Sequence, residues 1–484
     1  MRRRTLAAGL GAGVVAVLLA ACASPPVDPQ ATLTRANLAM GTVSVRTLQF
    51  AATGSGGIFG QAYRPGDPWP RTTLSSFSRV YEYESGAFKE EYARTRAEPN
   101  GGGALPLMGQ GEQRANGYLR GSVAWSMAGA NAAAGPLAVD GRVHDLWTSP
   151  HGVLKAAQRN NAKAVTSGGK TLLSFAEPGR FRATAVIGDN GLVERVDSVQ
   201  PNPVLGDTPT VTFYEDYRDH GGIKFPMRIR QNQGGHPVLD LQVTQVQVNT
   251  PAAIETPPTV GGFAERAVPE KVADGVWFLA GGSHNSVLVE MADHLILVES
   301  PLYDGRTQAV LAAVKQLVPG KPIRYVVNSH HHFDHAGGLR TAAADGATLV
   351  TSELARPWFT QVFAAPNSIA PDALARSGKP VRIEGVSGRR TFTDGTRTLE
   401  LMMIDGSVHA QGFMMAWLPR ERLLVEADAF TPGAPGAAPP ATPNGNNVNL
   451  LENVERLRLD VDRILPLHGR VVSVAELRTA VGRR

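Results

Sequence analysis

The sequence contains a single cysteine, Cys22, among its 484 residues. One thiol excludes an intramolecular disulfide framework and any zinc or iron–sulfur site built from several cysteines. Charged residues are also scarce, at 19%, while hydrophobic residues make up 43%. This composition indicates a folded globular chain rather than a disordered one, and its length favours at least two domains. We find no internal repeat with a period of about 20 to 50 residues.

Excess positive charge is small as well. The formal net charge of +5 falls to +2 once Arg2, Arg3 and Arg4 are left out. Nucleic-acid binding depends on clustered positive charge, so this balance gives no reason to expect a nucleic-acid partner.

The pattern of the first 22 residues predicts that the protein is exported from the cytoplasm. Three arginines precede an apolar run over residues 6–21, which is shorter than the about 20 residues that a spanning helix needs. Leu19-Ala20-Ala21-Cys22 ends the run, and the whole segment resembles a bacterial lipoprotein signal. The resemblance implies cleavage before Cys22 and a lipid anchor on its sulfur. A plain secretory signal is the alternative, and Arg3-Arg4 leave the choice between general and twin-arginine export open.

In bacterial lipoproteins, an Asp directly after the lipidated cysteine often retains the protein in the inner membrane. Ala23 stands at that position here, so we expect a periplasmic protein anchored in the outer membrane. The predicted organisation is a signal peptide over 1–21, a lipidated cysteine and tether over 22–37, a β-rich domain over 38–249, a linker over 250–264 and an α/β domain over 265–484. Hairpin signals such as Asp189-Asn190-Gly191 mark the β-rich part. Its last strands resemble the curved half-barrel sheets of periplasmic lipoprotein-carrier proteins. Prolines at 251, 257 and 258 mark the linker, beyond which strands and helices alternate.

The strongest chemical signal follows a predicted buried strand over 323–328. Residues 330–335 read His-His-His-Phe-Asp-His, which contains the pattern HxHxDH in a chain with only 12 histidines. Residues two apart in an extended segment point to the same side, so His330 and His332 can bind one metal ion. Asp334 and His335 can then bind a second ion beside it.

Residues 265–470 resemble a metallo-β-lactamase-fold hydrolase, an αββα sandwich with a dinuclear metal site at the edge of its sheets. The resemblance implies three further ligands, each at the end of a strand. It assigns His330, His332 and His409 to one metal, Asp334, His335 and His468 to the other, and Asp428 to both. Two zinc ions are the expected cofactor, and iron or manganese would suit the same ligands.

The predicted reaction is hydrolysis. Two dications about 3.5 to 4 Å apart lower the pKa of a bridging water, so that hydroxide forms near neutral pH. Asp334 can orient this hydroxide or pass a proton to the leaving group. The substrate is then a small molecule with an ester, thioester, lactone, amide or phosphoester bond. Asp428 favours the esterase, thioesterase, lactonase and phosphodiesterase branches of the family over the metallo-β-lactamases proper, which generally lack a bridging Asp at that position.

The chain departs from the family pattern at several positions. Glu299 stands where the family usually has an Asp that braces the ligand loop, Ser329 replaces a Thr, and Glu426-Ala427 stands where a Gly is common. We interpret His331 as structural and favour a turn role for His284, whose loop could also face the metal site. The Pro-rich stretch 431–447 is either a flap over the metals or a passive insert.

Two other functions stay open. The chain can be a ligand-binding envelope lipoprotein whose metal site is a relic, or a mononuclear iron dioxygenase on the same fold. Metal analysis with a substrate panel separates the three hypotheses.

Overall fold

The protein is described here by a computed structural model that covers residues 27–98, 102–103 and 110–483. The predicted signal peptide and Cys22 lie outside the described residues. None of the helices in the described ranges is long and apolar enough to cross a bilayer.

The first half of the described chain is dominated by one large antiparallel sheet. Within the described ranges it has thirteen strands, in the order β6-β5-β4-β3-β2-β1-β13-β12-β11-β10-β9-β8-β7. The strands are β1 Thr47–Gly57, β2 Arg71–Glu82, β3 Ala87–Arg96, β4 Gln113–Arg120, β5 Val123–Ala128, β6 Asn131–Ala134, β7 Lys163–Ser167, β8 Lys170–Glu177, β9 Phe181–Ile187, β10 Val193–Asn202, β11 Gly206–Asp219, β12 Lys224–Gln233 and β13 His236–Val248. Nearly all neighbours in the sheet are also neighbours in sequence, and the pairing of β1 with β13 joins the two runs of consecutive strands.

Three helices cover this sheet: α1 Pro29–Met40, α2 Val139–Trp147 and α3 Gly152–Arg159. Their apolar residues share one buried cluster with inward-facing strand residues such as Phe50, Phe181 and Leu241. The strands alternate buried and exposed positions because successive side chains point to opposite faces of a sheet. The predicted hairpin at 189–191 is present, with Gly191 in the left-handed region at φ 80°.

The structure differs from the predicted tether and linker. Helix α1 begins at Pro29, inside the range 22–37, with Asp28 capping it, and buries Leu33 and Met40 against the sheet. A Pro at the first helical position and an Asp before it are ordinary helix-start signals, which the high content of small residues obscured. Within 250–264, α4 Pro258–Gly261 and Ile254 pack against Trp125 instead of running free.

The second half contains two sheets packed face to face. In the described part of the chain, the first has seven strands in sequence order: β14 Val268–Ala273, β15 Val276–Ala280, β16 Ser286–Glu290, β17 Leu295–Val298, β18 Ile323–Val327, β19 Thr348–Ser352 and β20 Ile383–Val386. The second has six: β21 Arg389–Thr393, β22 Thr398–Met403, β23 Met414–Leu418, β24 Leu423–Glu426, β25 Arg463–Pro466 and β26 Val472–Ser473.

Helices cover the outer faces of both sheets. One side carries α5 Asp304–Leu317, α6 Phe333–Ala336, α7 Leu339–Ala344, α8 Arg356–Ala364 and α9 Ala373–Ser377, and the other carries α10 Gly445–Arg456 and α11 Val474–Ala480. Between the sheets, fully buried residues such as Val287, Leu401 and Leu424 form the core. This arrangement confirms the predicted αββα sandwich, which a β-rich domain precedes in the chain.

Candidate metal centre

The predicted ligands lie where strands end. His330, His332, Asp334 and His335 follow β18, His409 follows β22, Asp428 follows β24, and His468 follows β25. Strands β17 to β20 run parallel, as do β24 and β25, so their carboxyl ends share an edge. Polar groups that leave the ends of parallel strands converge at such an edge.

A first cluster brings together three imidazoles. Nε2 of His330 lies 2.9 Å from Nδ1 of His332 and 3.1 Å from Nε2 of His409, and the last two atoms are 3.0 Å apart. Burial lowers the pKa of all three histidines, and well below the usual value for His330 and His332, so the rings stay neutral. The three nitrogens form a small triangle inside the protein.

This triangle fits a metal ion better than a hydrogen-bonded set. The second nitrogen of His332, Nε2, donates to the carbonyl of Ala62 at 2.9 Å, so its Nδ1 carries a lone pair and no proton. Two nitrogens bound tetrahedrally to one zinc ion lie ~3.3 Å apart, given Zn–N bonds of ~2.05 Å. The three observed separations are close to that value.

A second cluster lies beside the first. Nε2 of His335 is 3.1 Å from Nε2 of His468 and 3.6 Å from a carboxylate oxygen of Asp334. Asp428 stands between the clusters: its Oδ2 is 2.6 Å from Nε2 of His335 and 3.5 Å from those of His330 and His409. Its Oδ1 is 3.2 Å from Nε2 of His468. One carboxylate therefore faces four ring nitrogens.

Charge in this second cluster is strongly coupled. Burial alone would disfavour the ionised carboxylates, yet the adjacent His335 holds the pKa values of Asp334 and Asp428 far below normal. Burial likewise opposes charge on His335, but Asp428 and Asp334 outweigh it and raise the pKa of that histidine. Such a concentration of negative charge and ring nitrogens also favours a bound dication.

Glu299, one of the departures from the family pattern, contacts the ligand segment directly. Oε1 of Glu299, a fully buried residue, accepts from the backbone N–H of Ser329 at 2.6 Å. Its Oε2 lies 3.5 Å from Nδ1 of His335, on the side of the ring away from the cluster. Glu299 therefore braces the ligand segment with a longer side chain than the usual Asp.

His284 also belongs to the second cluster, and sequence reasoning missed it. Its Nε2 is 3.2 Å from Oδ2 of Asp334, and its ring centre is 4.1 Å from that of His468. Burial lowers its pKa to about 4, so the ring is neutral. A signal was available, because β15 runs in the same direction as β17 and the loop after it reaches the same edge.

His331 joins neither cluster and donates from Nε2 to the Ala62 carbonyl at 2.9 Å. The described residues thus hold three overlapping groups able to bind a metal ion. They are His330, His332 and His409; His330, His335 and Asp428; and His284, Asp334, His335 and His468. All seven predicted ligand residues are present in them, and their role as ligands stays a prediction.

Part of the chain is similar to known proteins. Residues 279–468 match the family model of the Metallo-beta-lactamase superfamily. The α subunit of 2,4-dinitroanisole O-demethylase from Nocardioides sp. (strain JS1661) is 26% identical over 34% of this chain. The uncharacterized protein YobT of Bacillus subtilis (strain 168) is 28% identical over 30% of it. The chain spans 46% and 61% of the length of these two curated relatives.

Among solved structures, a metallo-beta-lactamase from Pontibacter korlensis is 17% identical with a TM-score of 0.35, covering 45% of this chain and 98% of its own. The family model does not extend into the thirteen-stranded sheet, so the resemblance of that sheet to carrier proteins stays a prediction. Residues 279–468 therefore match a domain of the Metallo-beta-lactamase superfamily, and they contain the His and Asp groups that are able to hold metal ions.

Proposed function

We propose that this domain binds two metal ions, zinc in the first place, and hydrolyses an ester, thioester, lactone, amide or phosphoester bond of a small molecule. The single observation that carries the proposal is Asp428, whose carboxylate faces ring nitrogens of both clusters. When bound, two such ions supply hydroxide near neutral pH and polarise the bond under attack.

The protein's own residues position the reactants. His330, His332 and His409 stay neutral through burial and keep lone pairs turned to one point. Asp334 is held at both oxygens, by Gln61 and by His284, and its side chain remains 28% exposed. We therefore expect a substrate to approach on the side of Asp334, whose ionised carboxylate orients the attacking water.

The test combines metal analysis with turnover. We expect two metal equivalents per chain and hydrolysis of at least one compound in a panel of esters, thioesters, lactones, amides, phosphodiesters and a β-lactam. 2,4-Dinitroanisole belongs in the panel because one relative is named for its demethylation. The double variant His330→Ala/His332→Ala should lose metal and turnover. The matched control is His220→Ala, at a histidine outside the metal-binding groups.

Three results would contradict the proposal. Full activity in the double variant would remove the metal ions from the reaction. Two bound metals without turnover on any substrate would favour a ligand-binding lipoprotein with a relic site. A single iron equivalent with dioxygen consumption would favour a mononuclear dioxygenase.

We also propose that the protein is a lipid-anchored periplasmic enzyme of the outer membrane. Arg2 to Arg4, the apolar run and Leu19-Ala20-Ala21-Cys22 support this placement. In the native host, Cys22→Ser should abolish incorporation of labelled fatty acid and move the protein from the membrane fraction to the soluble one. Unchanged membrane association in this variant would contradict lipid anchoring.

A further inference from the structure

The loop between β1 and β2, residues 58–70, leaves the thirteen-stranded sheet and lies against the metal centre of the other half. Its aromatic residues fix it there: Phe59 and Trp69 pack edge-on against Phe333, with ring centres 5.2 and 5.6 Å apart. The carbonyl of Gly60 accepts from the backbone N–H of Phe333 at 3.1 Å. Phe333 lies inside the HxHxDH segment, so the loop is bound to the backbone of the segment that carries four of the predicted ligands.

The next residues contact ligand side chains. Nε2 of His332 donates to the carbonyl of Ala62 at 2.9 Å, while Nδ1 of the same ring faces His330 and His409. A histidine that binds a metal through one nitrogen is usually oriented by an acceptor at the other, which also fixes the tautomer. Here that acceptor comes from the sheet domain, about 270 positions earlier in the chain.

The second cluster receives a contact of the same kind. Nε2 of Gln61 donates to Oδ1 of Asp334 at 2.8 Å, while His284 contacts the other oxygen. The backbone of Gln61 is fixed in turn, because its carbonyl accepts a hydrogen bond from the N–H of Gly103 at 3.1 Å.

The same loop grips the segment that carries His409. The hydroxyl of Tyr63 donates to the carbonyl of Ser407 at 3.0 Å, and its own carbonyl accepts from the N–H of Gln411 at 2.8 Å. These two contacts lie two residues before and two residues after His409. The loop therefore contacts both chain segments that supply the first cluster.

We propose that the 58–70 loop is an integral part of the metal centre: the Ala62 carbonyl positions His332 for one ion, and Gln61, as a positioning residue, holds Asp334 for the other. The inference rests on the proposed dinuclear function. It assigns the sheet domain a role in building the centre, through residues that lie outside the matched family region. Packing alone would not require a separate polar contact to a ligand of each cluster.

The first test replaces Gln61 by methionine, which keeps the length of the side chain and removes the donor. We expect affinity for the second zinc equivalent to fall about tenfold, while the first equivalent binds as in the wild type. Competition titration with a chromogenic zinc chelator measures both steps. The matched control is Gln49→Met, at a half-buried glutamine on β1 away from the metal-binding groups. Wild-type affinity for both ions in Gln61→Met would overturn the role of Gln61.

The second test displaces the loop. Gly60 has φ 80°, and a Cβ there would lie 2.5 Å from the ring of Phe333. Gly66, on the same loop, has φ 84° but its nearest neighbour would be Trp358 at 3.5 Å. Alanine at either position carries the same backbone strain, and only Gly60→Ala collides with the ligand segment.

We therefore expect Gly60→Ala to weaken zinc binding at least tenfold relative to Gly66→Ala, and to lower the thermal stability of the metal-free protein further, because only its Cβ collides with Phe333. Equal zinc affinities in the two variants would overturn the inference. A wild type that binds two ions and hydrolyses its substrate, beside variants with unchanged zinc affinity, refutes the loop's role alone. A wild type without metal refutes the proposed function instead.

Discussion

Glu299 shows how one residue can hold several parts of the centre in place. It is fully buried in the left-handed region at φ 70°, contacts the backbone at Ser329 and reaches the ring of His335. A non-glycine residue in that region carries backbone strain, which is common at functional sites. The contacts with Ser329 and His335 offset the cost of this strained backbone conformation.

Replacing Glu299 by glutamine should therefore weaken the second metal site. The amide still accepts from Ser329, but its NH2 group offers no acceptor to Nδ1 of His335. We expect a loss of about 10- to 100-fold in affinity for the second ion, measured by chelator competition. Glu270→Gln, at an exposed glutamate on β14, is the control. Equal affinities in the two variants would show that Glu299 is only a packing residue.

A second residue-scale prediction concerns acid stability. His151 is buried between the hydroxyl of Thr42 and the carbonyl of Lys224, and burial lowers its pKa to about 4. The unfolded chain binds this proton below about pH 6.5, while the folded protein binds it only near pH 4. The contribution of His151 to the free energy of unfolding is therefore fully present above pH 6.5. It falls, by up to about 3 kcal/mol, as the pH drops to 4.

Urea unfolding at several pH values between 7 and 4 measures this effect. His151→Gln has no titrating ring, so the difference in stability between wild type and variant should shrink as the pH falls. Parallel stability curves for the two proteins would contradict the assignment.

At the scale of elements, the ligand helix α6 is wedged against the chain after β17. Gly337 has helical backbone angles, yet a Cβ on it would collide with the carbonyl of Leu302. The N–H of Leu302 in turn donates to the carbonyl of Asp334 at 2.8 Å. Alanine would have to push α6 away from this strand end.

We expect Gly337→Ala to destabilise the protein by about 1–3 kcal/mol and to weaken metal binding. Chemical denaturation and zinc titration measure the two effects. Gly282→Ala is the control, because a Cβ there meets nothing within 4 Å. A fully stable Gly337→Ala protein would contradict this tight packing.

The elements differ in how well sequence predicts them. Helix α5 is predictable from sequence because Val310, Leu311 and Val314 recur at helical spacing, and all three are buried. Strands β4 to β6 are hard to predict from sequence because small residues such as Ala132 to Ala134 carry little hydrophobic contrast. The HxHxDH segment was recognisable since its ligands are close in sequence. The Ala62 carbonyl was not, because any residue provides one.

At the scale of the whole molecule, the two halves share several contacts besides the 58–70 loop. Val204, at the turn after β10, is buried in the cluster under α5 and α8. The carboxylate of Asp207 accepts from Ser368 and from the N–H of Ile369. The sheet domain and the metal domain therefore form a joint structure rather than two independent bodies.

Removal of the metal ions should consequently destabilise both halves of the protein. Ligand binding to the folded state stabilises it by about 4 kcal/mol when the free ligand is 1,000 times its dissociation constant. After chelation, we expect faster amide hydrogen exchange in 279–468 and also in 58–70, with a lower unfolding temperature. Addition of zinc should restore both. Faster exchange confined to 279–468 would contradict the coupling.

The contact from Gln61 to Asp334 joins positions 273 residues apart. A chain made from its N-terminus onward has the 58–70 loop long before His409 and His468 exist. Truncated copies thus lack either the ligands or the loop that orients them. Under the role proposed for the loop, the complete metal centre can assemble only when residues 58–70 and His468 are both present and the two halves are in contact.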